Sequence, residues 1–568
     1  MPAPNASCVW SRPDPGYNPD VASEAPVSSA AVSSLEQAKK GIHTCLDIFF
    51  ERHFANDFCS FDHWPDFEQK CQKDAFLSSA VVALCGRYLK PQDAQSCFGL
   101  DSGRQVSKAY LHRARALAKE SSDDPTGNLV LAMAELLHGS GSRHWLFAGM
   151  AIRMAEAMRL NKDFHQKHSL KVQEVRRRTF WACLMFDRVL AYFLAKHRTI
   201  DIENIGIPLP GTDMSLAYQE ETKGVTLSDI ATRQRPSELG LGSYLIKTVC
   251  LWSDLADFAT YSRRRLDRFP PTDPHSMFSI RHEALCTWVD SLHPSLRWNS
   301  ENYHTQRQLG KGSSFVAMHL LLLSGSCAAH QCYLPHFTLF TKPDDLVDAA
   351  GWSYLHREPL LIDTCVSNAI KFGEVLTYLV EGGSTGNELS LQAVWVAPSV
   401  LIVANVFLWL QYTQDNVYSD DSLRQKSQSY FQTIHTLVSS WTPHWKAAER
   451  WKLSLNAMQD LYKAAYVGDI NETILSPAAT ISMHSDDESA PDFCPQPGDG
   501  YPALISLPNL PASVKFVTSD TSARFIDMQS IWLQLSGGWP YGATGAAYLM
   551  EHAHVDMALL NDSAPAEL

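Results

Sequence analysis

The sequence predicts an all-α protein: a large irregular multi-helix body with a disordered N-terminal leader and an acidic C-terminal linker. Three observations support this. Apolar residues recur every three or four positions through most of residues 34–469. Sustained period-two alternation over several strands occurs nowhere. Gly and Pro fall between the periodic segments, as in 210–213, 269–274 and 381–387. About ten to fourteen helices are expected, and no fixed-period repeat marks a regular solenoid.

Residues 1–33 are rich in Pro, Ser and Ala, lack periodicity and read as a disordered leader. Order is expected from Ser34, an N-cap for a helix whose face carries Leu35, Ala38, Ile42, Cys45, Leu46 and Phe49. The aromatic stretch 57–67, broken by Pro65, reads as a packed loop. A second helix carries Phe76 to Tyr88 and is ended by Pro91. Helical patterns continue over 107–119, 127–138, 145–160, 172–194, 243–266, 276–292, 315–332, 359–380, 389–412, 422–440 and 443–466. Together 34–469 form one all-α domain. Residues 470–523 are acidic and rich in Pro and Ser, a disordered linker. The tail 524–568 regains aromatics and ends on an acidic and apolar patch, Asp556, Met557, Leu559, Leu560 and Asp562. That patch is a candidate activation segment, folding as a short helix into a partner's groove; the alternative is a C-terminal helix docked on the body.

Bulk properties narrow the function classes. A chain of 568 residues exceeds one simple core. Its net charge of −13 gives no overall attraction to nucleic acid, so such binding must be local. Thirteen scattered cysteines with no Cys-x2-Cys pair suit a reducing compartment. The first residues lack the basic-then-apolar pattern of a signal peptide. Two runs free of Asp, Glu, Lys and Arg, 312–341 and 389–412, are long enough to cross a membrane. Their His319, Gly325, His330, Gln331, Pro335, Pro398 and Asn405, and the lack of flanking Lys/Arg clusters, favour buried core helices. No membrane partner is expected.

The stretch 145–210 is the most specific. Its first helix places Phe147, Met150, Ala151, Met154 and Met158 on one face, with Arg153, Glu156 and Arg159 as a polar stripe. Gly149 beside that stripe would let another backbone approach. On the second helix Asp187 falls inside the apolar arc of Val172, Val175, Thr179, Cys183, Phe186 and Leu190. A lone buried carboxylate needs a partner. Arg176 lies about 16 Å away along the axis, so Arg153 on the preceding helix is the expected one.

Those residues carry a resemblance. Trp145, Gly149, Ala151, Arg153, Ala155 and Leu160, then Glu174, Arg176, Arg177, Arg178, Phe180, Trp181, Asp187 and Arg188, resemble the signature of the fungal-specific transcription factor domain, the middle homology region of fungal regulators. Phe58–Phe67 is similar to the family's aromatic-proline loop and 202–210 to the segment closing the signature. Two places depart from the pattern. Arg159-Leu160-Asn161 stands where the family often has Gly-Leu-His. Ala195-Lys196-His197 stands where it favours Gly-Arg-Pro, which removes a proline that would fix the helix exit. The resemblance implies a nuclear regulator of a metabolic or secondary-metabolite gene set, with the transcription machinery or a DNA-binding protein as partner and a homodimer as a candidate assembly. The family's DNA reader is a six-cysteine cluster of two zinc ions. Here Cys8, Cys45, Cys59, Cys71, Cys85 and Cys97 are far apart and have no basic frame. No cofactor is visible: zinc, and direct contact with promoter DNA, are expected only if a further N-terminal segment encodes the reader.

Other motifs are weaker. Gly382-Gly383-Ser384-Thr385-Gly386 matches a nucleophile elbow, but a helical pattern precedes it where a strand is required. His552, His554 and Asp556 have ligand-like spacing without a strand context. No enzyme is expected, and no catalytic or metal residues are assigned. Of two basic patches, Arg176–Arg178 lies inside the signature. Arg263, Arg264, Arg265 and Arg268 form a candidate nuclear import signal.

Overall fold

The computed structural model describes residues 29–467 except 55–56, 120–123, 141–142, 164–167, 195–196, 222–223, 232–238, 261–262, 335–337, 341–350, 352–356, 382–392 and 414; beyond these it describes 524–525. The body is all-α. The one strand pairing among the described residues is short and antiparallel, with Thr338 opposite Phe525 and Phe340 opposite Arg524.

Seventeen helices are described, more than the sequence predicts. In order they are α1 (Ser29–Phe49), α2 (Trp64–Lys73), α3 (Ala75–Cys85), α4 (Pro91–Phe98), α5 (Gly103–Ala118), α6 (Pro125–His138), α7 (Arg143–Ala157), α8 (Leu170–Leu194) and α9 (Asp213–Tyr218). There follow α10 (Leu241–Thr260), α11 (Met277–Ser291), α12 (Ser300–Gln308), α13 (Gly312–His330), α14 (Pro359–Glu381), α15 (Ala393–Tyr412), α16 (Asp421–Trp441) and α17 (Lys446–Val467).

The excess has a physical origin. Pro65 and Pro91, read from sequence as breakers, occupy first-turn positions of α2 and α4, where the missing N–H and fixed φ suit a helix. The stretch 57–67 is therefore loop only up to His63. Short α9 and α12 start on side-chain caps, Thr212 and Asn299, and contain too few apolar positions to show a period. At the other end, α1 begins at Ser29, five residues before the expected cap, and runs into a π turn, Phe50–Phe54, that buries His53 and Phe54.

The N-terminal helices pack as α1 on α3 and α4, α3 on α5 and α6, and α6 on α7. A Cβ on Gly103 would meet the Gly86 carbonyl oxygen at 2.4 Å, so the approach of α5 to the turn after α3 requires glycine there. Inside α6, Glu135 is fully buried and held by Arg115, with Nε donating to Oε1 at 2.6 Å and Nη2 to Oε2 at 2.8 Å.

The two charge-free runs become the middle of the molecule. Helix α13 packs on α10, α11, α12, α14 and α15, and α15 packs on α8, α13, α14, α16 and α17. Both helices are apolar on all sides because protein surrounds them, and 94% of each is buried. Their polar residues are satisfied within the core. His319 Nε2 lies 2.9 Å from the Leu296 oxygen, and Ser324 donates to Ser399 at 2.9 Å. Asn405 donates to Gln331 at 3.2 Å and accepts from Tyr462 at 3.0 Å.

The chain then closes on itself. Helix α17 packs on α6, and the corner before it is gripped from the N-terminal half. Arg104 donates to the Thr442 and Pro443 oxygens, and Arg87 to the His444 oxygen at 2.8 Å. Trp445 donates to the Tyr88 hydroxyl at 2.8 Å, with the Arg52 guanidinium 4.2 Å over the Tyr88 ring.

Candidate functional site

The polar centre of the molecule is the face that α8 turns toward an extended segment, residues 199–211, running back along it. An extended segment with no sheet to join leaves backbone groups that must find partners once buried. Side chains of α8 supply them. Glu174 accepts from the Gly211 N–H at 2.9 Å, and Arg178 donates to the Gly211 oxygen at 3.2 Å. Trp181 donates to the Pro208 oxygen at 2.8 Å. Asp187 accepts from the N–H groups of Thr199 at 2.9 Å and Ile200 at 3.0 Å, while Arg188 donates to the Ile200 oxygen at 2.7 Å. Over Glu174 to Arg188 these donors and acceptors span about 21 Å of helix. The segment is strapped to α8 along that length.

The same residues pair with one another. Glu174, almost fully buried, takes Arg177 at 2.6 Å and Arg178 at 2.9 Å. Arg178 reaches on to Ser60 at 3.0 Å and Asp213 at 2.8 Å. Lys311, at the mouth of α13, then bridges Asp213 at 2.8 Å and Asp57 at 2.9 Å. Burial opposes the charge on Asp213, but Lys311 and Arg178 outweigh it and hold the carboxyl well below the usual carboxylate range. Burial likewise opposes the Lys311 charge, yet Asp57 and Asp213 hold its ammonium above the ordinary lysine range. One chain of alternating charges thus joins the 57–60 loop, α8, the start of α9 and the start of α13.

The sequence expectations divide here. Glu174, Arg177, Phe180, Trp181, Asp187 and Arg188 are buried together on α8. Trp145, Gly149 and Arg153 do not join them. Helix α7 buries its small face, His144, Ala148, Ala151, Ile152 and Ala155, and turns Met150 and Met158 outward, each 40% exposed. The expected methionine face is therefore wrong: close packing against α6 and α8 favours small residues over the more hydrophobic ones. Arg153 consequently faces solvent and pairs with Glu156 at 2.7 Å. The expected Arg153 partner for Asp187 is replaced by Arg188, whose Nη1 lies 2.6 Å away, together with the strap. No atom lies within 4 Å of a Cβ built on Gly149, so no backbone of the described residues uses the gap.

Arg159, where the family often has glycine, adopts φ 54°, the left-handed conformation that closes a helix. Leu160 N–H bonds the Ala155 oxygen and Arg159 N–H the Glu156 oxygen, both at 2.9 Å. Arg176 caps the same end through the Met158 and Arg159 oxygens at 3.1 and 3.2 Å. All three guanidiniums of 176–178 are thus engaged inside the domain.

The second basic patch is mixed. Arg264 is buried, donates to the Cys332 oxygen and lies 4.6 Å over the Tyr333 ring. Arg263 pairs with Asp257 at 2.9 Å, Arg268 is exposed, and the Arg265 side chain lies outside the described residues. Residues 382–386, His552, His554 and the segment Asp556, Met557, Leu559, Leu560 and Asp562 also lie outside them.

Asp57, Ser60, Asp213 and Lys311 belong to the network but were not singled out from sequence. Only Lys311 carried a signal, as the last charge before a thirty-residue charge-free run. Chemically the network offers anchoring. Its carboxylates point at guanidiniums, an ammonium and main-chain N–H groups, and no nucleophile stands beside a base. Two recesses flank α8, one lined by Arg188, Tyr192, Arg198 and Asp257, the other by Lys162, His168 and Arg176; each has room for about one water molecule. Among the described residues no three His, Cys, Asp or Glu side chains are placed to hold a metal ion.

Comparison with known proteins follows the same stretch. The family model described as "Fungal specific transcription factor domain" matches residues 40–290. An uncharacterized transcriptional regulatory protein of Schizosaccharomyces pombe is 27% identical over 52% of this chain and 32% of its own length. A second such S. pombe protein is 23% identical over 73% of this chain and 52% of its own. A Zn(2)-C6 fungal-type transcription factor of Fusarium oxysporum is 26% identical over 34% of this chain and 23% of its own. The chain therefore spans between a quarter and about half of these relatives. No solved structure is significantly similar to it.

Proposed function

We propose, from the premise that residues 40–290 carry the fungal specific transcription factor domain, that this chain is a fungal transcriptional regulator whose all-α body sets its activity. The family match carries this reading, and the relatives named as transcriptional regulators support it. The strapped α8 supports it physically: the buried charges hold a fold together and leave no reacting group exposed, as expected of a regulatory domain rather than an enzyme. A nuclear location and control of a metabolic or secondary-metabolite gene set complete the proposal.

A second reading, a co-regulator that reaches promoters through a DNA-binding partner, is favoured by one observation: none of the thirteen cysteines forms a Cys-x2-Cys pair. A nuclear import role for Arg263–Arg268 would require Arg264 to leave its buried place. The test of regulation fuses the whole chain to an unrelated DNA-binding module above a reporter. A several-fold change in reporter output is expected, and baseline output from a well-expressed nuclear fusion refutes the proposal. Gel shifts with the purified chain separate the two readings: specific, salt-dependent DNA binding overturns the co-regulator.

A further inference from the structure

The outward face of α7 is apolar. Trp145 is 36% exposed, Leu146 54%, and Met150 and Met158 40% each; Leu170 and Val172 in the first turn of α8 are 40% and 42% exposed. The two helices meet where Arg176, one turn after Val172, donates to the Met158 oxygen, so these side chains form one surface. At about 200 Å² of accessible area per large side chain, the patch amounts to roughly 500 Å², the upper range for a monomer's largest apolar patch. Gly149 leaves its centre open to another backbone, although glycine costs a helix interior about 1 kcal/mol relative to alanine. Exposed Arg153, Arg159 and Lys162 border the surface.

We infer that this face of α7 and the first turn of α8 is the docking surface for the chain's own C-terminal segment, residues 549–562. Two properties select that occupant. The area is too small for a second copy, since a stable interface needs about 800 Å² from each partner. It suits one helix held by a tether, which needs only weak intrinsic affinity. The segment is also complementary in pattern and charge. Leu549, Ala553, Met557 and Leu560 recur at helical spacing, Glu551, Asp556 and Asp562 are acidic, and the segment holds no Lys or Arg. With some eighty residues between Val467 and Leu549, reach does not limit docking. When docked, the segment's apolar residues are covered and withdrawn from any other partner. This contact stands independently of the regulatory reading above.

Hydrogen exchange on the full chain tests it. Three proteins are compared: the unaltered chain, a Leu146→Glu/Met150→Glu variant, and a Met557→Glu/Leu560→Glu variant. Leu146 and Met150 are exposed, so the helical signal and unfolding midpoint should not change. Amides of 549–562 are expected to exchange at least tenfold slower in the unaltered chain than in either variant. Equal exchange in all three overturns docking, and protection lost only in the tail variant overturns α7 as its place. Protection that disappears on dilution points to a second copy and overturns the intramolecular contact.

Discussion

Replacing Asp187 with alanine isolates the strap that gives α8 its polar face. The carboxylate is 4% exposed and has three kinds of partner: Arg188, itself 2% exposed, and the N–H groups of Thr199 and Ile200. Removing one member of a buried ion pair costs about 3–5 kcal/mol, because the other charge stays in place without compensation. Each buried N–H left without an acceptor costs about 1–3 kcal/mol more. A loss of about 4 kcal/mol or more is expected, a large share of the roughly 5–15 kcal/mol that holds a domain folded. Asp187→Asn keeps one acceptor and should lose about half as much. The assay is urea unfolding followed by tryptophan fluorescence, with hydrogen exchange over 197–211 reporting release of the strap. The double variant Asp187→Leu/Arg188→Leu locates the cost. Two of the groups that Asp187 accepts from belong to the main chain, so the double variant should recover less than half the loss. Full recovery would assign the whole effect to the Arg188 charge and refute strap anchoring, as would an Asp187→Ala protein within 1 kcal/mol of the unaltered chain.

Further outcomes are expected from the core and from α7. Burial holds the imidazoles of His53, His138, His319 and His330 neutral, with pKa values of about 3, 2, 4 and 3. The unfolded chain, with histidine near 6.5, binds more protons below that pH, so this contribution is complete above 6.5 and falls with acidification. Four such groups cost about 5 kcal/mol between pH 7.5 and 5.5; urea midpoints unchanged across that range would refute the assignment. Arg159→Gly relieves a left-handed φ and should stabilise by about 1 kcal/mol, read as a higher midpoint, unless lost side-chain contacts outweigh the relief. Gly103→Ala should lower the midpoint, because the new Cβ meets backbone, whereas Gly149→Ala should leave it unchanged or raise it.

The long helices were legible because each buries enough apolar positions to display a period, and α10, α13 and α16 fall within a few residues of the sequence reading. The short ones were not: their identity rests on Pro65, Pro91, Thr212 and Asn299, residue types that also mark turns. That Asp187 is buried could be read from its place inside an apolar arc. Its partners could not, because two are main-chain groups of a segment without periodicity. Arg153 was misplaced because hydrophobicity ranks methionine above alanine, whereas α7 needed narrow side chains to approach α6. The Lys311–Asp57 contact joins residues 254 positions apart, beyond any local pattern.

The recognisable family portion stops at residue 290, yet α10 rests against α13, and α15 to α17 complete the core and lock back onto α6. For genetics this makes the domain indivisible. A premature stop or frameshift between 290 and 467 removes the cover from Trp252, Leu255 and their neighbours and hands the remnant to chaperones and proteases. Such alleles should behave as recessive nulls, with the shortened product scarce in the cell rather than interfering with the intact protein.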